Sequence, residues 1–177
     1  RQLLYVLLEI SKTGTTEALV DERHRAWHAG AGAWAGLEDI NSHSIGIELA
    51  NSGSQPFAEP QMAALERLLA GIMARWGIPP ERVIGHSDMA PTRKADPGPR
   101  FDWRRLARLG LSIWPDSAVR VDGAEQVDRT GQVDGAAFRA FAAGAGYGMA
   151  VPDEVLLAAV RLRFRGATET TRTRNRK

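Results

Sequence analysis

The sequence contains no cysteine. That excludes disulfides and every thiolate-held metal, and leaves His, Asp and Glu as the strong metal ligands. No apolar run approaches the roughly 18 residues of a membrane-spanning helix. No basic stretch followed by an apolar run and a small-residue cleavage site opens the chain. The first residue is Arg1 rather than methionine, so the natural start, and any targeting signal on it, is expected upstream, and the compartment stays open. The HExxH, GxSxG and P-loop patterns are also missing, which removes three common routes to hydrolysis or nucleotide binding.

What is present has the composition of a globular domain, 44% hydrophobic and 25% charged over 177 residues. This length suits one domain and a small appendage. The net charge of +2 hides an asymmetry: RGATETTRTRNRK (165–177) holds five basic side chains against Glu169, so residues 1–164 carry a net −2. Basic tails can bind nucleic acid. Here no recognition motif or interleaved aromatics accompany the charge, so the expectation is a disordered terminus and no nucleic-acid partner.

Hydrophobic patterning indicates alternating strands and helices. LLYVLLEI (3–10) reads as a buried strand or a helical segment, since a short apolar run does not decide. KTGT (12–15) reads as a turn and Thr16–Val20 as a second strand. Residues 21–44 show no sustained period and read as a long loop. In SIGIELA (44–50), Ile45, Ile47 and Leu49 alternate with Gly46, Glu48 and Ala50, the period of a strand. Met62, Leu65, Leu69, Ile72, Met73 and Trp76 share one face of a helix over 60–76, with Pro60 in its first turn and Gly77 past its end. Val83–Gly85 reads as a short strand. Asp102 caps a helix through Leu109, with Phe101 and Leu106 as a hydrophobic staple. This order predicts an α/β layer fold. Beyond a polar linker, two further helical patterns run from Val133 to Phe141 and from Asp153 to Phe164. Together they are small for a self-standing domain and are expected to pack on the first.

Chemistry concentrates in GHSDMAPTRKADPGP (85–99). His86 follows an apolar segment, Asp88, Lys94 and Asp96 lie within ten residues, and prolines and glycines stiffen the loop. Imidazole nitrogen with carboxylate oxygen is a normal zinc set; the competing reading is that Asp88 and Asp96 pair with Arg93 and Lys94 on the surface. Glu48 is a carboxylate on an apolar strand. Lining a water-poor cleft beside a metal it would serve as a general base; otherwise it faces solvent on an open sheet. RAWHAGAGAW (25–34) puts two tryptophans and a histidine among glycines, which suits sugars or peptides, or a core role.

RAWHAG (25–30), DINSHSIGIEL (39–49), GHSDMAP (85–91), RKADPGP (93–99) and FDW (101–103) together resemble the zinc-dependent N-acetylmuramoyl-L-alanine amidases. These are bacterial peptidoglycan amidases related to T7-type lysozyme and to peptidoglycan recognition proteins. The resemblance runs from about Gly14 to Trp114. It implies a mixed central sheet flanked by helices, a single catalytic Zn2+, and hydrolysis of the bond between N-acetylmuramic acid, or its anhydro form, and the L-alanine of the stem peptide. It implies His86 and Asp96 as zinc ligands, Glu48 as general base and Lys94 as the group facing the developing oxyanion. Trp27, His28 and Asn51 are expected to line the substrate cleft of a monomer that binds peptidoglycan or a muropeptide. The expected organisation is an amidase domain over 1–114, a linker over 115–131, a helical segment over 132–165 that more weakly resembles a peptidoglycan-binding module, and a basic tail over 166–177.

Two positions depart from the family pattern. Thr92 replaces a usual glycine. The family's third zinc ligand is a histidine on a first strand upstream of all these motifs, and no histidine precedes His24 here. Missing upstream sequence, a frame error at each end, or loss of zinc in a protein that only binds peptidoglycan would each account for this. Retention of Glu48 and Lys94 favours the first two.

Overall fold

The computed structural model describes residues 6–20, 27–115 and 135–164. Three strands form one mixed sheet. Strands β1 (Val6–Ile10) and β2 (Thr16–Val20) are antiparallel, and β3 (Ile45–Leu49) lies parallel to β1 on its other side, giving the order β2-β1-β3. The turn between β1 and β2 closes through Ser11 and Thr15, whose backbones bond at 2.9 Å. Glu9 stands opposite Glu17 on one side and Glu48 on the other. One face of the sheet therefore carries a row of carboxylates, and like charges placed side by side favour an open, hydrated face.

The other face holds Ile10, Ile47 and Leu49 against helix α1 (Glu59–Trp76). The helical period places Met62, Leu65, Leu69 and Ile72 in the core, as expected, while Met73 and Trp76 are only half-buried. Gly77 ends α1 at φ 63°, a left-handed position that favours glycine. Gln61, fully buried in the same helix, donates from Nε2 to the Ile10 carbonyl at 2.8 Å and the Ala50 carbonyl at 3.3 Å. It thereby ties the ends of β1 and β3 to α1.

Helix α3 (Trp103–Arg108) begins at Asp102, whose carboxylate accepts from the Arg105 amide at 2.9 Å. Phe101, Trp103 and Leu106 complete this first core. Arg105 reaches across to Glu59 and Glu66 of α1, and its guanidinium holds the Glu59 carboxyl below its ordinary range.

The C-terminal helices α4 (Gly135–Gly144) and α5 (Asp153–Phe164) pack on the first unit as expected. Their Ala142, Leu156 and Ala159, with Tyr147 between them, build a second core with Ala29, Trp34, Ile40, Met89 and Ala90. The predicted linker, apart from Pro115, and the basic tail lie outside the described residues. Among the described residues, no helix is long and apolar enough to cross a membrane.

Two expectations need correction. Val83–Gly85 is not a strand: a 3₁₀ turn (Pro80–Arg82) runs through it into a one-turn helix, α2 (His86–Met89). A strand needs a partner for its ladder, and a cleft of about 540 Å³ lies between this segment and β3. The loop 85–99 is also less polar in its placement than in its composition, since Met89 and Ala90 are core residues.

Leu106 is 1% exposed at the centre of the first core. Leu106→Ala is expected to cost about 2–5 kcal/mol, read as a lower urea midpoint with an unchanged slope.

Candidate active site

The cleft runs along the open edge of β3, the edge that has no pairing partner among the described residues. Its floor is apolar, formed by Ile45, Ile47, Leu65, Leu69, Val83 and Leu106, while His28, Glu48, Asn51, His86 and Asp96 also line it. Its volume falls in the range of small-ligand sites.

His86 is the first residue of α2, and the turn around it is dictated by close packing. A side chain on Gly85 would lie 2.6 Å from Pro97 Cδ, so only glycine lets the two ends of the loop meet. The Ser87 amide donates to the Asp96 carbonyl at 3.0 Å, and the amides of Arg93 and Lys94 both donate to the Ala90 carbonyl. These bonds bring the Asp96 carboxylate into direct contact with His86 Nδ1. The other ring nitrogen, Nε2, lies 3.1 Å from the His28 carbonyl.

Both nitrogens of His86 therefore face oxygen acceptors. One ring N–H can donate to such an acceptor, and the other nitrogen is then placed to share a metal ion with the facing oxygen. Donation of the second ring N–H to a backbone carbonyl is what orients a metal-binding histidine. His86 Nδ1 and Asp96 Oδ2 thus fit two donor positions of a zinc site. No group of three such donors occurs among the described residues, and a catalytic zinc takes three from protein.

The loop before β3 closes the other side. Arg93 Nη2 donates to the carbonyls of Ala29 and Ala31, each at 2.7 Å. The Ala33 amide donates to the Met89 carbonyl at 3.0 Å, and Asn41 accepts from the Ala29 amide at 2.8 Å. The His28 ring lies over Gly46, where an added Cβ would come within 2.7 Å of Cγ and Nδ1. Burial lowers the His28 pKa from 6.5, and the neighbouring His86 lowers it further, against a hydrogen bond that the ring donates to the Ser44 backbone. Among the described residues, its buried Nε2 has no hydrogen-bond partner.

Glu48 is two residues along β3 from Gly46 and so shares the face that His28 covers. It is exposed, at the margin of the cleft rather than in a water-poor interior. Lys94 is half-buried on the same loop as Asp96. Trp27 is 77% exposed. Asn51 lines the cleft, but its amide is engaged locally, accepting from Gly53 N at 2.8 Å and donating to the Pro56 carbonyl. The structure thus gathers His28, Glu48, His86 and Asp96 at one cleft, with Asn51 serving first to shape its own loop.

Asp88 does not pair with Arg93 or Lys94 on the surface. It is wholly buried, and its carboxylate meets Tyr147 and Arg163 from the C-terminal segment. Reasoning from sequence passed over both partners. An arginine among apolar residues on the buried face of α5 was the available signal.

A histidine–aspartate pair and a glutamate thus meet along one sheet edge. The N-acetylmuramoyl-L-alanine amidase family matches residues 7–99. The chain belongs to this family. It is 48% identical over 108 residues to N-acetylmuramoyl-L-alanine amidase AmiD of Escherichia coli (strain K12), covering 56% of this chain and 39% of AmiD. It is 42% identical over 97 residues to the 1,6-anhydro-N-acetylmuramyl-L-alanine amidase AmpD of Haemophilus influenzae, covering 54% of this chain and 53% of AmpD. The chain therefore spans between two fifths and about half the length of these relatives.

Solved structures share the mixed-sheet fold. E. coli AmiD in complex with the substrate anhydro-N-acetylmuramic acid-L-Ala-D-gamma-Glu-L-Lys superposes with a TM-score of 0.74 at 34% identity, covering 93% of this chain and 72% of that one. AmpDH3 of Pseudomonas aeruginosa gives 0.77 at 32% identity, covering 92% and 73%.

Gly46→Ala tests the packing of His28. It is expected to cost about 1–3 kcal/mol of stability and to shift the His28 ring resonances in NMR spectra; unshifted resonances would show that the ring does not depend on this contact.

Proposed function

We propose that this site hydrolyses the amide bond between N-acetylmuramic acid, or its anhydro form, and the L-alanine of the peptidoglycan stem peptide, in cell-wall turnover or recycling. The observation that carries this reading is the convergence of His86 Nδ1 and Asp96 on one point at the cleft, with the second His86 nitrogen on the His28 carbonyl. The amidases named above act on, or are solved with, this class of compound.

Zinc would be held by His86 and Asp96. When bound, it supplies a water whose pKa is lowered to roughly 7. Glu48, exposed at the cleft margin, takes the proton of the attacking water and delivers it to the leaving amine. Lys94 offers a positive charge to the carbonyl oxygen as the amide carbon becomes tetrahedral. Trp27 presents an aromatic face to the sugar or peptide, and His28 forms the cleft wall on the same sheet face as Glu48. The third donor that a catalytic zinc takes is not found among the described residues.

One observation favours a second reading, a peptidoglycan binder without catalysis: the described residues offer two donors rather than three. Metal analysis and muropeptide digestion separate the two. As an amidase the protein is expected to hold zinc and to release stem peptide from purified muropeptides. Near-zero zinc with retained muropeptide affinity would establish the binder instead. Glu48→Gln is expected to lower turnover at least about 100-fold with zinc content unchanged; full activity in that variant would remove Glu48 from its role.

A further inference from the structure

The carboxylate of Asp88, two residues beyond His86, has no solvent exposure. Its oxygens accept from three donors. Oδ2 takes the Gly85 amide at 2.8 Å and Arg163 Nη1 at 2.6 Å, and Oδ1 takes the Tyr147 hydroxyl. The Gly85 bond closes the turn that holds His86. The other two donors come from the C-terminal segment, 59 and 75 residues along the chain.

Arg163 is 2% exposed and does more than balance this charge. Its Nη2 donates to the Val83 carbonyl at 2.9 Å and to Ser112 Oγ at 3.2 Å. Its guanidinium carbon sits 4.1 Å from the centre of the Trp103 ring. One side chain therefore grips the segment entering the His86 turn, the turn itself and the chain leaving α3. Tyr147 is placed in turn by Trp34, edge-to-face at 4.8 Å. Gly146 allows this approach, because a Cβ there would lie 2.5 Å from the indole. A planar guanidinium stacked on an aromatic ring and bonded at both arms has little freedom to turn.

We propose that Arg163 and Tyr147 are positioning residues for His86: through the Asp88 carboxylate they hold the 85–89 turn, and with it the direction of the imidazole toward Asp96. The C-terminal helices are on this account a working part of the site rather than a separate module that binds peptidoglycan on its own. The inference rests on the reading of His86 as a metal donor, but its test needs neither metal nor turnover.

The test uses the metal-free chain with labelled histidine. Tyr147→Phe keeps the ring and removes one hydrogen bond to Asp88. Arg163→Met removes the charge, and Arg163→Lys restores it without the fork. The readouts are the His86 ring nitrogen resonances and the amide exchange rates of residues 85–90, set against those of Leu65 and Leu69 in α1. Tyr147→Phe is expected to shift the His86 resonances and speed exchange in the turn by about fivefold to tenfold, the effect of one lost hydrogen bond, with α1 unchanged. Arg163→Met is expected to do more, and Arg163→Lys to recover part of it. Unchanged His86 resonances in folded Tyr147→Phe would overturn the proposal. So would faster exchange spread evenly over α1 and the turn, which is the mark of general destabilisation. If Arg163→Met fails to fold, Tyr147→Phe and Arg163→Lys decide. An enzyme without zinc or activity would refute the proposed reaction and leave these readouts intact.

Discussion

A carboxylate with no access to water must be matched by charge and by hydrogen bonds, or the fold that buries it does not persist. Asp88 imposes that condition on this protein. Arg163, Tyr147 and the Gly85 amide satisfy it together, and the rest of the molecule is arranged so that they reach it. Breaking such a pair by removing one partner costs about 3–5 kcal/mol, a large share of the roughly 5–15 kcal/mol by which domains are stable. The two hydrophobic cores meet at this point. Trp103 of the first lies against Arg163, and Tyr147 belongs to the second.

The sheet contributes differently. It is small, its outer strand β2 is largely exposed, and among the described residues β3 ends it on an unpaired edge. The cleft at that edge is apolar inside and polar at its margin, so the groups with chemistry in them stand where the apolar lining stops. Loops, not strand ends, hold His86 and Asp96. Their precision comes from the close backbone packing that Gly85 allows and from the bonds that bracket Ala90.

Much of this was legible in the sequence. The α1 helix was, because its apolar spacing matches its burial at Met62, Leu65, Leu69 and Ile72. β3 was, because it alternates. The approach of His86 to Asp96 was, as one of two readings that the residue types of the loop 85–99 allowed. What escaped depends on partners distant in sequence. Asp88 looks like a surface charge until Arg163 is brought to it. Gln61 looks like a polar position on a helix until it meets two strand-end carbonyls. Val83–Gly85 has the composition of a strand, but a strand exists only through pairing, and no partner reaches it among the described residues. The placement of His28 over Gly46 follows from the loop's route across the sheet, which no local pattern encodes.

Arg93 binds the two loops of the site into one body. It holds the carbonyls of Ala29 and Ala31 from the loop that carries Asp96 and Lys94, and His86 holds the carbonyl of His28. A ligand that pushes on the wall at 27–31 therefore loads the same side chains that aim the reacting groups. Grip and aim are not separately adjustable in such an assembly. A protein engineer who reshapes the wall to admit a different sugar or peptide will also be retuning the spacing of the histidine and the aspartate, and will have to correct both together.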